Sequence, residues 1–69
     1  MNDDNYFRFD LWLYNEMKKR SLTISDLAER VGVSERSICY YLRNQVMPSW
    51  RTLEDILKAF DMHLEIVTD

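Results

Sequence analysis

Arg36, Tyr40 and Arg43 follow one another at intervals of four and three residues. At about 100° per residue they share one side of a helix, opposite Ile38. Two guanidinium groups and a phenol on that side serve no apolar core. A guanidinium offers five N–H donors in a rigid plane, which suits paired oxygen acceptors on an anionic partner. Glu35 and Cys39 flank this side, and a second cationic cluster, Lys18-Lys19-Arg20, lies upstream. That cluster either complements the negative end of a helix dipole or adds to a surface for a polyanion.

Other chemistries lack their residues. With one cysteine, Cys39, and one histidine, His63, the chain has neither an internal disulfide nor the ligands of a structural zinc site. Cys39 reads as a small half-buried residue and His63 as a solvent-side strand residue. No Ser–His–Asp or Cys–His set can be assembled, and one glycine, Gly32, makes no phosphate-cradling loop. A chain of 69 residues also lacks the walls of a substrate pocket. Neither an enzyme nor a bound cofactor or metal is expected.

Formal net charge is −3, which by itself argues against a polyanionic partner. Its distribution argues the other way. Residues 1–16 and 46–69 each carry −3, whereas residues 17–45 carry +3. This is either ordinary surface charge or one face for a polyanion with two ends turned away from it.

The elements that must position these residues are legible in the apolar periodicity. Tyr6 to Lys19 reads as a helix through Phe9, Leu13 and Met17; alternation of Phe7, Phe9 and Leu11 leaves a short strand over 6–9 as the other reading of its start. Trp12 lies off the main stripe, at the core edge or in a subunit interface. Thr23 and Asp26 make a capping box, stapled by Leu22 and Leu27. A helix follows to Val31, with Ile24, Leu27, Ala28 and Val31 on one stripe. Gly32 stands where a helix C-terminus wants a positive φ. Ser34 caps the next helix, Glu35 to about Arg43, with Ile38 and Leu42 inward, Tyr41 beside them and Tyr40 exposed. Asn44 to Pro48 is a connection. Ser49 then caps a helix from Trp50 to Phe60, whose apolar face is Trp50, Leu53, Ile56, Leu57 and Phe60, and Asp61 ends it. Over Met62 to Thr68 the period becomes two, which predicts a strand. Such a strand needs a partner, either the N-terminal residues or the same strand of a second copy. A core this thin commonly needs a further staple, and self-association is the one left open. The longest apolar run is five residues, Ile38 to Leu42, so neither a membrane span nor a signal peptide is expected and the chain is cytoplasm-compatible.

Two short helices joined by a three-residue turn form a helix-turn-helix. Leu22-Thr23, Leu27-Ala28, Gly32-Val33-Ser34 and Ile38, with Leu42-Arg43-Asn44 and Pro48-Ser49 beyond, resemble the phage repressor (Cro/C1-type, XRE) family over residues 9–61. The tail from Ala59 to Val67 is similar to members that end in a strand, as small antitoxins do. The resemblance implies a mainly α, four-helix, lambda-repressor-like domain over 1–69. Its motif occupies about 23–44, and a strand at about 62–68 pairs antiparallel in a homodimer through Met62, Leu64 and Ile66.

It also implies double-stranded DNA as partner, with the second motif helix in the major groove. Carried onto this chain, Ser34, Glu35, Arg36, Ser37 and Tyr40 face base edges. Arg36 would take guanine O6 and N7, and Glu35 would accept from cytosine N4. Arg43 and Asn44 approach the backbone, and Lys18, Lys19 and Arg20 add phosphate contacts. Family members often carry glutamine where Ile24 stands, glycine at Gln45, a basic residue at Met17 and glutamine at Glu35. The expected function is a dimeric repressor of a near-palindromic operator. The alternative is an antitoxin-like module on the same scaffold that binds a toxin or another protein.

Overall fold

The computed structural model describes residues 8–62. Four helices follow one another: α1 Phe9–Lys19, α2 Ile24–Val31, α3 Glu35–Leu42 and α4 Trp50–Ala59. Each contributes one fully buried side chain to a common centre: Leu13, Leu27, Ile38 and Ile56. Phe9, Met17, Ala28, Val31, Tyr41 and Phe60 surround them. Helix α3 packs on α1 and α2, and α2 packs on α4. The apolar stripes expected for α1 and α2 are the buried ones, except that Ile24 at the start of α2 is half-buried.

The starts of the last three helices follow their capping residues. The Thr23 hydroxyl accepts from the Asp26 N–H at 3.0 Å, and the Asp26 carboxylate accepts from the Thr23 N–H at 3.1 Å. Ser34 and Ser49 accept from the N–H groups of Ser37 (3.1 Å) and Thr52 (3.2 Å). Each such cap contributes about 1 kcal/mol. Arg8 precedes α1 without a side-chain cap; its guanidinium instead grips Asp10 at 3.0 and 2.8 Å.

All four helices end in one way. Ser21, Gly32, Asn44 and Asp61 have positive φ, at 54°, 84°, 60° and 61°. The amide of the residue after each turns back onto the last turn: Leu22 to Met17 O, Val33 to Ala28 O, Gln45 to Tyr40 O and Met62 to Leu57 O, at 2.8–3.1 Å. This closure satisfies carbonyls that the helix leaves without partners. Only Gly32 occupies the left-handed region without a Cβ penalty.

Some expectations are corrected, and some open alternatives are decided. Trp50 does not join the buried face of α4; at the first helical position it is 57% exposed, and the stripe is Leu53, Ile56, Leu57 and Phe60. Tyr41 is more deeply buried than Leu42, because the Phe9 ring meets it edge-on at 6.3 Å. Helix α3 stops at Leu42, with Arg43 as its cap. Phe9 is helical, which excludes it from a strand; Tyr6 and Phe7 lie outside the described residues. Trp12 is half-buried at the core edge, 5.7 Å from both the Phe9 and Phe60 rings. Met62 belongs to the closure of α4, so its amide is not free for a strand ladder. The remainder of the strand, with Leu64 and Ile66, lies outside the described residues.

Candidate nucleic-acid interface

Helix α3 is held from behind and open in front. Ile38 and Tyr41 seat it against α1 and α2, while Glu35, Arg36, Tyr40 and Arg43 are exposed. Tyr40, at 37% exposure, stands next to the buried Tyr41 and faces the other way. Among the described residues no carboxylate forms an ion pair with Arg36 or Arg43; the pairs present are Arg8–Asp10, Lys19–Glu16 and Arg20–Glu16. From Arg36 to Leu53 the sequence holds Arg36, Arg43 and Arg51 and no Asp or Glu. Glu35, at the start of α3, flanks this side without forming an ion pair with either arginine.

The serines expected at base edges have structural work. The Ser34 hydroxyl caps α3 and lies 3.0 Å from the Ser37 hydroxyl, and Ser37 is half-buried. They fix how α3 enters the surface more than they extend from it. Glu35 occupies the first turn, where the helix dipole favours a negative charge. Asn44 is in the left-handed region just past α3 and is exposed.

The upstream cluster divides. Lys18 sits 5.9 Å over the Tyr14 ring and, with Tyr14, Met17, Leu22, Thr23, Ile24 and Leu42, lines a groove of about 360 Å³. It thus borders the end of α3 and the start of α2. Lys19 pairs with Glu16 at 3.1 Å. Arg20 pairs with the same carboxylate, donates to the Phe60 carbonyl at 3.2 Å and lies 4.8 Å over the Phe60 ring. Arg20 thereby ties the end of α1 to the end of α4. The signal in the sequence was Glu16, three and four residues ahead of the two cations. These hydrogen bonds, from Lys19 first and then Arg20, hold the Glu16 carboxyl below its usual range. Arg8 does the same for Asp10, and the Thr23 amide for Asp26.

What the sequence reading missed is an exposed apolar stretch next to α3. Val46, Met47 and Trp50 are 49%, 60% and 57% exposed. Among the described residues no group of three or more His, Cys, Asp or Glu is placed to hold a metal, and no helix is long and apolar enough to cross a membrane.

An α2–turn–α3 unit of this geometry, with its second helix backed by core and open outward, defines a helix-turn-helix domain. A family model described as helix-turn-helix, of the Cro/C1 type, matches residues 13–67, and the chain belongs to this DNA-binding family. No curated protein and no solved structure matches it significantly.

Proposed function

We propose that the protein is a sequence-specific transcriptional regulator, a dimeric repressor that occludes a near-palindromic operator in the cytoplasm, with no catalytic activity of its own. The observation that carries this reading is the exposed side of α3, where Arg36, Tyr40 and Arg43 stand without a carboxylate partner among the described residues. Arg36 supplies the bidentate donor that guanine accepts in the major groove, and Glu35 accepts from a cytosine amino group. Tyr40 packs on a thymine methyl or bonds a phosphate. Arg43, Asn44 and Lys18 approach the backbone and set register. In the dimer, Leu64 and Ile66 pair across a two-fold axis, and the two α3 helices address half-sites about 34 Å apart.

The test is selection of bound duplexes from a random DNA pool, followed by a salt titration on the selected site. The reading predicts two inverted half-sites one helical turn apart. It also predicts a log–log salt slope near −0.9 for each phosphate neutralised. No enrichment, with no duplex affinity at low salt, would reject it. The exposed Val46, Met47 and Trp50 favour a second reading, a module that binds a toxin or another protein. That reading predicts capture of a protein partner through this stretch and no selected duplex.

A further inference from the structure

The groove beside the motif takes no part in the proposed DNA contacts apart from Lys18. Its volume is about 360 Å³, in the range of small-molecule sites. Tyr14, Met17 and Lys18 line it from α1, Leu22 and Ile24 from the turn and the start of α2, and Leu42 from the end of α3. Leu22, Ile24 and Leu42 pack against the core yet are half-buried, so each keeps an open side. Thr23 also lines the groove, but its hydroxyl is taken by the Asp26 amide. Lys18 is the one charged residue of the lining. Its ammonium lies 5.9 Å over the Tyr14 ring and has no carboxylate partner among the described residues. The acids that flank the lining residues in sequence are engaged already, Glu16 by Lys19 and Arg20, and Asp26 by Thr23. A second groove, of about 490 Å³, differs in holding its own counter-charge: Asp55 lines it together with Arg30 and Lys58. The groove at Lys18 thus offers one unpaired ammonium beside an aliphatic surface. A ligand that satisfies both carries one carboxylate and a short apolar body; a nucleotide or a dicarboxylate brings more charge than one ammonium meets.

We propose that this groove binds a small apolar carboxylate, with its head on Lys18 and its aliphatic body along Leu22, Ile24 and Leu42. A lysine suits the place, because its stem adds apolar cover while the ammonium stays at the solvent edge. The groove draws on both helices of the motif, so an occupant touches the unit that carries the exposed arginines. Under the proposed function Lys18 meets a phosphate, and carboxylate and phosphate then compete for one ammonium. The site itself does not rest on that function; the competition does.

The test titrates the full chain with octanoate and follows amide and methyl resonances, first without DNA. Saturable shifts at Met17, Leu22, Ile24 and Leu42 are expected. Shifts centred on Val46, Met47 and Trp50, or shifts that never saturate, would overturn the site. Hexanoate should bind more weakly, by up to about fourfold for each methylene no longer removed from water. Lys18→Gln, at an exposed position, should weaken octanoate roughly two- to fivefold, the scale of an exposed ion pair. Octan-1-ol should bind native protein and variant alike. Equal octanoate affinity for the two would overturn the assignment of the head group. Lys58→Gln removes the same charge from the second groove and should change nothing; an equal loss there would reduce the effect to net charge. Duplex affinity is measured second. Saturating octanoate should weaken native binding, lower the steepness of its salt slope by about 0.9, and leave Lys18→Gln unaffected. A native duplex affinity unmoved by bound octanoate would overturn the competition. Absence of any duplex affinity would reject the proposed function, and the competition with it, without touching the result at the groove.

Discussion

The end of α1 and the outer side of α3 both carry clustered cations, but Lys19 and Arg20 are paired with an acid while Arg36 and Arg43 are not. Lys19 and Arg20 lie three and four residues after Glu16, so helix geometry delivers both to one carboxylate. Arg36 and Arg43 have no acid at such spacing on their outward side, and the chain between them and Leu53 holds none. Local sequence decides the difference: a cation is available to a partner when no carboxylate stands one helical turn away. Arg20 has become structural, a tie between α1 and α4 through the Phe60 carbonyl and ring. The arginines of α3 keep their donors for something outside.

The largest effect that would break this comparison comes from the seat of α3. Ile38→Ala removes a fully buried side chain and should cost about 2–5 kcal/mol. That would unfold a large share of so small a domain and abolish binding with it. Denaturant titration measures the loss; a cost below about 1 kcal/mol would mean α3 is held elsewhere. The comparison sharpens with a crossed pair of variants. Arg36→Ala should cost about 1–3 kcal/mol in duplex affinity and change stability by less than about 0.5 kcal/mol. Arg20→Ala should do the reverse. It should lose about 1–2 kcal/mol of stability, from a charged hydrogen bond and a cation–π contact, and leave the affinity of the folded protein unchanged. If both lose affinity alike, the two cationic regions act as one.

A smaller gain is expected at the helix ends. Ser21→Gly relieves a left-handed residue at φ 54° and should stabilise by about 1 kcal/mol. The same change at Gly32 has no counterpart, so Gly32→Ala should destabilise. The smallest effect concerns pH. Asp10, Glu16 and Asp26 have folded-state pKa values below their ordinary ones. Their contribution is present in full above the unfolded values near 4 and is lost as pH falls through the lowered ones. Thermal midpoints should be flat from pH 7 to about pH 5 and fall below about pH 4. Glu16→Gln should flatten part of that fall.

Much of this was legible because the signals are local. Thr23 with Asp26, Ser34 and Ser49 mark helix starts by hydrogen bonds within one turn, and all three stand where sequence placed them. Gly32 and Asp61 announced their turns by residue type. Asn44 carried the same signal by type; Ser21 did not, since serine in the left-handed region is set by the closure around it. Trp50 was misread because helical spacing cannot tell whether a first-turn residue faces a neighbour or solvent. The tie from Arg20 to Phe60 was not legible because the two are forty residues apart, although Glu16, one turn before Arg20, was. The apolar Val46–Trp50 stretch was missed because it lies where the period breaks. The outward side of α3 was legible because one wheel and one buried isoleucine suffice to orient a short helix.

The most direct measurement is the affinity of native protein and Arg36→Ala for the selected duplex and for duplexes changed at one base pair at a time. If α3 enters the groove as described, the native protein discriminates at the pair facing Arg36 and the variant loses discrimination there alone. A uniform loss across every duplex would reassign Arg36 to the phosphate backbone. Unchanged affinity everywhere would show that this side of α3 does not meet DNA.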